Sequence, residues 1–328
     1  ERKTLYRGYQ ASLQAGGRTI KETIRIGTRG SKLALTQSGW VADQIRARYP
    51  GRTVEVVVIK TQGDILQDVS LAKIGGKGLF VKEIEESLLR GDVDLAVHSM
   101  KDVPVELPAG LEIAITPVRE DPRDVLISRE GLFMETMPPG ARIGTGSLRR
   151  GVQIKYRMDH LEVVPIRGNL DTRIRKVSEG LLDGVIVAAA GVKRMRWENR
   201  VSQFLPTEMM LPAACQGILG IETRQGDPLR DDLAFLHDGD AWVEMSGERA
   251  FLLRLGGGCQ LPVAVFGQKS GGEIRISALV GTLDGKTVIW QEISGPAAEA
   301  AELGDKLARD ILDQGGREIL EAVYASAQ

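Results

Sequence analysis

The chain contains two copies of one pattern of strands and helices, and this repeat limits its fold more than any other feature. Each copy opens with a short strand, a glycine turn and a serine that precedes a helical pattern. The two openings read Arg25-Ile26-Gly27-Thr28-Arg29-Gly30-Ser31 and Arg142-Ile143-Gly144-Thr145-Gly146-Ser147. Because strands that alternate with helices form parallel sheets covered by helices, the sequence predicts an α/β protein with two similar doubly wound domains.

Hydrophobic periodicity places the remaining elements of each copy. The first copy predicts a helix with a stripe at Leu33, Gln37, Val41 and Ile45, then a strand at 53–59, a helix at 79–89 and a strand at 93–97. The second copy predicts a helix through Leu148, Val152 and Tyr156, then a strand at 161–166, a helix at 172–182 and a strand at 184–188. Ligands of such sheets bind beyond the carboxyl ends of the strands, where helix N-termini offer N–H groups to anions.

A third pattern follows the two copies. It predicts a helix at 241–255, alternating strands at 263–267, 273–280 and 287–293, and an amphipathic helix at 297–314. We therefore expect a smaller C-terminal α+β domain at 240–328. The other expected units are an arm at 1–22, a first domain formed by 23–117 and 217–236, and a second domain at 122–212.

A cysteine follows three consecutive glycines in the run Leu255-Gly256-Gly257-Gly258-Cys259-Gln260-Leu261-Pro262. Glycine triplets weaken helices and strands, because each residue loses backbone entropy and offers no side chain for packing. The run therefore predicts a permissive loop that carries Cys259. A thiol in such a loop is expected to be reactive or modified, whereas most free cysteines are small buried hydrophobes.

Composition excludes several classes of protein. Two cysteines in 328 residues do not make a disulfide framework, so we expect a reducing compartment. The chain has no run of about eighteen apolar residues, so we expect no membrane span. The three widely separated histidines do not support a metal site. Residues 1–22 do not resemble a secretory signal, which favours the cytoplasm; a plastid remains open if they are a transit remnant.

Charge is unevenly distributed although the net charge is only -1. Residues 142–200 contain thirteen Lys and Arg against six Asp and Glu, and residues 222–328 contain ten against eighteen. The basic segment offers only Tyr156 and Trp197 for stacking on bases, so no nucleic-acid partner is expected. A small polyanionic ligand fits it better. The glycine-rich run at 75–78 lacks the spacing of a phosphate-binding loop, so we interpret it as a mobile lid with Lys73 and Lys77.

The motifs together resemble the porphobilinogen deaminase family, also called hydroxymethylbilane synthases. The matching runs begin at Gly27, Gly75, Val97, Ser147, Arg167 and Leu255, and read GTRGSKLA, GGKGLF, VHSMKDVP, SLRR, RGN and LGGGC. They cover all of the chain except its N-terminal arm. Six motifs in the same order make the resemblance specific, although any one of them alone would be weak.

The resemblance implies a transferase that deaminates four porphobilinogen molecules and joins them head to tail into a linear tetrapyrrole. It implies two domains similar to periplasmic binding proteins, and one covalent dipyrromethane cofactor on Cys259 as the primer. Asp102 matches the catalytic carboxylate, which would stabilise a cationic intermediate. The implied cofactor-binding residues are Cys259, Lys101, Ser147, Arg149, Arg150 and Arg173. The implied substrate-binding residues are Arg29, Ser99, Arg167 and Arg194.

The expected ligands explain this excess of arginine. Each pyrrole carries an acetate and a propionate, and guanidinium groups bind carboxylates in two-pronged fashion. Gly146 stands where the family often has Ser, and Gly151 and Thr36 also depart from the family pattern, but none of them touches the implied carboxylate, thiol or arginines. We expect His98 to hydrogen-bond its turn. We expect a monomer, and the competing hypothesis is a non-enzymatic two-lobe binder of small organic anions.

Overall fold

The computed structural model describes residues 22–61, 81–257 and 261–326. The described strands are β1 (Thr23–Thr28), β2 (Thr53–Val58), β3 (Leu95–Ser99), β4 (Leu111–Ile115), β5 (Asp124–Ser128), β6 (Arg142–Gly144), β7 (Glu162–Val164), β8 (Gly184–Ala188), β9 (Gln203–Leu205), β10 (Leu219–Arg224), β11 (Val263–Ser270), β12 (Glu273–Gly281) and β13 (Val288–Pro296). The described α-helices are α1 (Lys32–Arg48), α2 (Lys82–Arg90), α3 (Leu148–Arg157), α4 (Leu170–Ser178), α5 (Ala189–Arg194), α6 (Leu229–Asp232), α7 (Gly239–Arg254), α8 (Ala300–Ile311) and α9 (Arg317–Ser326).

These strands form three sheets. The first has the order β2-β1-β3-β10-β4, the second β7-β6-β8-β5-β9, and the third β11-β12-β13. Helices α1 and α2 pack on the first sheet and α4 on the second, while α7 and α8 pack on the third and on each other. The predicted fold class, two α/β domains followed by a smaller α+β domain, is confirmed. The two five-stranded sheets also repeat one another strand for strand, as the sequence repeat indicated.

Strand direction differs from the prediction of wholly parallel sheets. β1 runs parallel to β2 and β3, and β6 runs parallel to β7 and β8. However, β10 is antiparallel to β3 and β4, and β5 is antiparallel to β8 and β9. The reason is that the chain passes between the two sheets twice, through residues 116–123 and 206–218, which we call the crossing segments. Each crossing segment delivers the next strand to the carboxyl edge of its new sheet.

Polar residues lie at the carboxyl edge of each sheet, as the pairing of the strands shows. Asp124 opens β5 opposite Ala188, the last residue of β8, and Leu219 opens β10 opposite Ser99, the last residue of β3. The crossing segments therefore lie beside the carboxyl ends of both sheets. This is the region where the sequence predicted ligand binding.

Apolar side chains hold the three domains together. Ile24, Ile26, Val41 and Ile45 are fully buried between α1 and the first sheet. The C-terminal domain shares one hydrophobic core with the first domain. Met100, Val103 and Ile113 of the first domain pack in the same cluster as residues of the C-terminal domain. A second contact joins it to a crossing segment, where Leu211 packs with Ala264, Phe266 and Leu279. None of the described helices is both long enough and apolar enough to cross a lipid bilayer.

The predicted last helix, 297–314, corresponds to α8 with the turns on either side of it, and a further helix, α9, follows. α8 ends at Ile311, and α9 begins at Arg317 after Gly315 adopts a positive φ of 105°. A non-glycine residue would be strained at this angle, so the Gly315-Gly316 pair breaks the helix. The sequence prediction ended at residue 314, before this pair, and did not include α9.

Candidate active site

The candidate catalytic residue lies on a tight turn at the end of β3. Met100–Asp102 form a single 3₁₀ turn directly after Ser99, and the amide of Met100 donates to the carbonyl of Ile218 at 3.0 Å. Met100 is buried beneath the turn against Gly220, where a Cβ would lie 2.1 Å from its sulfur. Only glycine at 220 permits this contact. The anchored turn leaves the carboxylate of Asp102 exposed.

A pocket opens in front of this turn. It is lined by polar groups from α1, β3 and the segments that follow β1 and β3: Arg29, Ser31, Gln37, His98, Ser99 and Asp102. The side-chain amide of Gln37 donates to the hydroxyl of Ser99 at 3.0 Å, which fixes the orientation of that hydroxyl. The structure therefore brings together Arg29, Ser99 and Asp102, three of the residues that the sequence singled out.

Gln37 was not among the predicted site residues. It is buried, with 4% of its surface exposed, although it occupies an apolar stripe of α1. A polar residue in such a stripe needs a hydrogen-bond partner inside the protein. The sequence thus contained a signal, because Gln37 interrupts the series Leu33, Val41 and Ile45.

Two arginines at the start of α3 are almost completely buried. Arg149 and Arg150 donate to opposite oxygens of Asp124, at 2.8 and 2.7 Å. Burial alone would raise the pKa of Asp124, but the two guanidinium groups outweigh it and hold that pKa far below its usual range. The side-chain amide of Gln216 donates to the same carboxylate at 2.9 Å. Asp124 and Gln216 therefore fix the two arginines, and sequence reasoning missed both.

Lys101 adds a third positive charge close to Arg149 and Arg150. Burial lowers the pKa of Lys101, and the charges of Arg150 and Arg149 lower it further, against the opposing effect of Asp102 and Asp124. A carboxylate ligand would reverse that shift, because it stabilises the ammonium form. A polycarboxylate such as dipyrromethane fits this donor set, since one buried carboxylate neutralises only one of the two buried guanidinium charges.

Arg173 lies close enough to both the buried Arg150 and the exposed Arg167 for their charges to affect its pKa. Its Nε donates to the carbonyl of Gly168 at 2.7 Å. Burial lowers its pKa, as do Arg150 and Arg167, while Asp102 raises it. Asp102 follows β3 of the first domain and Arg173 lies in α4 of the second, so the two domains face one another across a cleft that contains both charges.

Arg194 and Ser147, which the sequence also singled out, lie at the ends of helices. Arg194 donates to the carbonyl of Gly217 in a crossing segment at 2.7 Å, and burial lowers its pKa to about 10. Ser147 stands at the N-terminus of α3, but its side chain makes no capping hydrogen bond to the helix. Ser31 at the start of α1 does make one, to the amide of Ala34 at 3.3 Å.

The prediction for His98 was wrong. Its Nε2 lies 2.9 Å from Oε2 of Glu222 on the neighbouring strand β10, and both side chains are buried. The interaction is with a buried carboxylate rather than with the turn. The sequence could not reveal it because the two residues are 124 positions apart and their strands become neighbours only through the crossing.

A third ionic cluster ties α7 to both crossing segments. Arg119 donates to Glu248 at 2.7 Å and to Glu244 at 3.1 Å, and its Nε donates to the carbonyl of Gln216 at 2.9 Å. Glu248 is fully buried and also accepts from the amides of Cys215 and Gly267. The helix that leads toward the thiol loop is thereby held against the segments that join the two sheets.

The thiol itself, Cys259, lies outside the described residues, as do Lys73 and Lys77 of the predicted lid. The loop before the thiol is described as far as Gly257. Gly256 and Gly257 have positive φ angles of 87° and 77°, which a side chain would oppose. These two angles explain why glycine follows Leu255.

Comparison with known proteins agrees with this geometry. The family model "Porphobilinogen deaminase, dipyromethane cofactor binding domain" matches residues 24–231, and "Porphobilinogen deaminase, C-terminal domain" matches residues 242–313. The chain belongs to the porphobilinogen deaminase family. A relative from Syntrophus aciditrophicus, named porphobilinogen deaminase, is 59% identical over 91% of this chain and 98% of its own length.

Other members of the family are similar over the same extent. The porphobilinogen deaminase of Pelobacter propionicus is 50% identical over 92% of this chain and 97% of its own length. Among solved structures, the BenM effector binding domain with its effector benzoate is 12% identical, with a TM-score of 0.39 over 66% of this chain and 94% of its own.

Proposed function

We propose that this chain deaminates four porphobilinogen molecules and joins them head to tail into hydroxymethylbilane, with Asp102 as its catalytic carboxylate. The observation that supports this role most strongly is that Asp102 shares one pocket with Arg29 and Ser99 and acts electrostatically on Arg173 of the second domain. Bound dipyrromethane supplies the pyrrole carbon to which the first unit is added. Family membership favours this activity over the alternative of a non-enzymatic anion binder.

The reaction requires charge stabilisation at one point. The carbon–nitrogen bond of the aminomethyl group breaks, ammonia leaves, and the substrate becomes a cationic methylene-pyrrole. An ionised Asp102 near the pyrrole N–H stabilises that cation through its fixed negative charge. A new carbon–carbon bond then forms, the attacked ring loses a proton, and the exposed carboxylate can accept a hydrogen bond throughout.

Asp102→Asn tests this role. The substitution keeps the shape of the side chain but removes its charge, so we expect turnover to fall by on the order of 10³-fold or more while the cofactor remains attached. Glu106→Gln is the matched control, because this exposed carboxylate follows the same turn and is expected to leave turnover unchanged. Turnover near that of the unmodified chain in a cofactor-loaded Asp102→Asn protein would exclude the proposed role.

We further propose that the basic residues divide into two groups. The residues that bind the carboxylates of the cofactor are Lys101, Ser147, Arg149, Arg150 and Arg173. Four of them are cations that lie close enough to affect one another's pKa, and Ser147 stands at the N-terminus of α3, which favours anions.

The residues that bind the substrate are Arg29, Ser99, Arg167 and Arg194. Arg29 and Ser99 line the pocket in front of Asp102, which supports their part in the division. Arg167 and Arg194 belong to the second domain, where Arg167 acts electrostatically on Arg173 and Arg194 donates to the carbonyl of Gly217.

Mass spectra of variants after incubation with porphobilinogen test the division. Arg149→Leu and Arg150→Leu should yield largely cofactor-free protein, whereas Arg29→Leu and Arg194→Leu should retain the cofactor but stall with few added rings. Arg157→Leu, at the exposed end of α3, is the control and should load and elongate normally. Normal loading and elongation by folded Arg149→Leu and Arg150→Leu proteins would refute the division.

The remaining expectations are proposals of organisation. We propose domain bounds of 23–117 with 217–236, 122–212 and 240–328, since each sheet takes its strands from one of these sets. We propose a cytoplasmic monomer, because one chain supplies both sides of the cleft and two cysteines in 328 residues do not make a disulfide framework. Limited proteolysis and light scattering, respectively, test the bounds and the monomeric state.

A further inference from the structure

Three buried titratable groups lie directly behind the pocket that contains Asp102. His98 of β3 forms part of the pocket wall, and its Nε2 is 2.9 Å from Glu222 of β10, which has no exposed surface. Glu85 of α2 faces the same pair and is 6% exposed. Its helix neighbour Ile84 also lines the pocket. We call Glu85, Glu222 and His98 the proton cluster.

The hydrogen bonding of this cluster is incomplete. One carboxylate oxygen of Glu85 and one of Glu222 are buried without a hydrogen-bond partner. Leaving a buried carboxylate oxygen without a donor is costly, and the cost is greatest when the group is ionised. Two carboxylates close together in a buried site also repel each other when both are charged. Both effects are relieved if the cluster holds one extra proton.

Other charged groups around α2 do not offset this repulsion. Glu86, on the same helix, is negative and raises the pKa of Glu85 further. Arg25 of β1 binds the carbonyl of Gly91, beyond the far end of the helix, and pairs with Asp94. Arg224 of β10 also binds near that far end, at the carbonyl of Leu88.

The fourth strand adds no charge to this side of the sheet. Leu111 of β4 packs with Ile84 and Leu88 of α2, whereas the next residue, Glu112, lies on the opposite face and pairs with Arg230 at 3.5 Å. Burial, followed by the charge of Glu222, raises the pKa of Glu85 to about 7, and His98 only partly opposes them.

We propose that the proton cluster holds one more proton on its carboxylates at slightly acidic pH than at alkaline pH, and that losing this proton weakens the binding of the dicarboxylate substrate. Glu85 is a positioning residue, since it is absent from the described pocket lining but follows Ile84 in α2 and acts electrostatically on His98, which both line the pocket. When it ionises, a second buried negative charge lies behind a pocket wall that must accept acetate and propionate groups. The proposal rests on the substrate site described under Proposed function.

Glu85→Gln separates this effect from a structural one, because glutamine has the shape of the protonated acid and cannot ionise. In the unmodified chain, KM for porphobilinogen should rise by roughly 3- to 10-fold more between about pH 6 and about pH 8 than in Glu85→Gln, with kcat affected equally in both. Glu86→Gln is the control: Glu86 is half exposed and has the smallest influence on the pKa of Glu85, so its variant should keep the rise of KM with pH and shift it only slightly to lower pH.

Infrared spectra provide a readout that does not depend on turnover. The carbonyl band of a protonated carboxyl group should weaken as the pH of the unmodified chain is raised through about 7, and Glu85→Gln should lack that change. The same pH dependence of KM in both proteins, or the same infrared change in both, would overturn the proposal. If no variant consumed porphobilinogen at any pH, the proposed function would fail instead, and the infrared comparison would still decide where the proton is held.

Discussion

The buried carboxylate that organises the arginine pair offers the sharpest test of the site's energetics. Asp124 has no exposed surface and accepts from Arg149, Arg150 and Gln216 at 2.7 to 2.9 Å. Asp124→Asn removes the charge and leaves two buried guanidinium groups without a counterion. Breaking a buried ion pair in this way typically destabilises a protein by about 3–5 kcal/mol, so we expect a loss of about 3 kcal/mol because asparagine still accepts a hydrogen bond.

Asp305 provides a matched control at the surface. It also pairs with two arginines, Arg254 at 2.6 Å and Arg309 at 3.0 Å, but these side chains are 46% and 57% exposed. Exposed pairs contribute about 0–1 kcal/mol, so Asp305→Asn should be nearly neutral. Urea unfolding of both variants, followed by circular dichroism, measures the difference. Equal losses in the two variants would refute the argument that burial determines the contribution of these ion pairs.

The loss of stability in Asp124→Asn should depend on pH in a defined way. Because the pKa of folded Asp124 lies below its unfolded value of about 3.9, its contribution is fully present above about pH 4. The stability gap between the unmodified chain and Asp124→Asn should therefore be constant from about pH 5 to about pH 7. It should shrink only as the pH falls below about 4, toward the folded pKa. A gap that closed near neutral pH would contradict the charge assignment.

Two further predictions concern the crossing segments. Glu248→Gln leaves Arg119 without its closest counterion, so we expect a loss of about 2–4 kcal/mol and faster hydrogen exchange at the amides of Cys215 and Gly267, which both donate to Glu248. Exchange at these amides no faster than in the unmodified chain would contradict the link to α7. Gly217→Ala places a Cβ 2.2 Å from the carbonyl oxygen of Glu120 at a φ of 92°, so we expect a loss of about 2 kcal/mol or more in thermal unfolding. Gly39→Ala, with open space in the interior of α1, should instead stabilise by up to about 1 kcal/mol, and similar effects of the two would exclude this steric explanation.

Much of the fold could be predicted from local patterns. The repeated strand-turn-helix openings predicted the equivalent sheets, and the alternation after residue 262 predicted the three-stranded sheet of the C-terminal domain. The reversed strands β5 and β10 could not be predicted, because their direction depends on where each crossing segment enters its new sheet. The last helix, α9, was not predicted, because the sequence prediction ended at residue 314, before the glycine pair.

The residues of the candidate site could also be predicted only in part. The sequence identified Arg29, Ser99 and Asp102, which the structure places in one pocket. It did not identify Asp124 or Glu222, because both lie in apolar strands far along the chain from their partners. A buried charged residue in a strand indicates that a partner exists, but only the folded chain shows which residue it is.

The most direct test of the central claim is the intact mass of the purified protein. A member of this family that carries its dipyrromethane on Cys259 should have a mass greater than that of its amino-acid sequence by one such unit. Cys259→Ser should have the mass of its sequence alone and should not form hydroxymethylbilane. An unmodified chain that is fully active would contradict the claim.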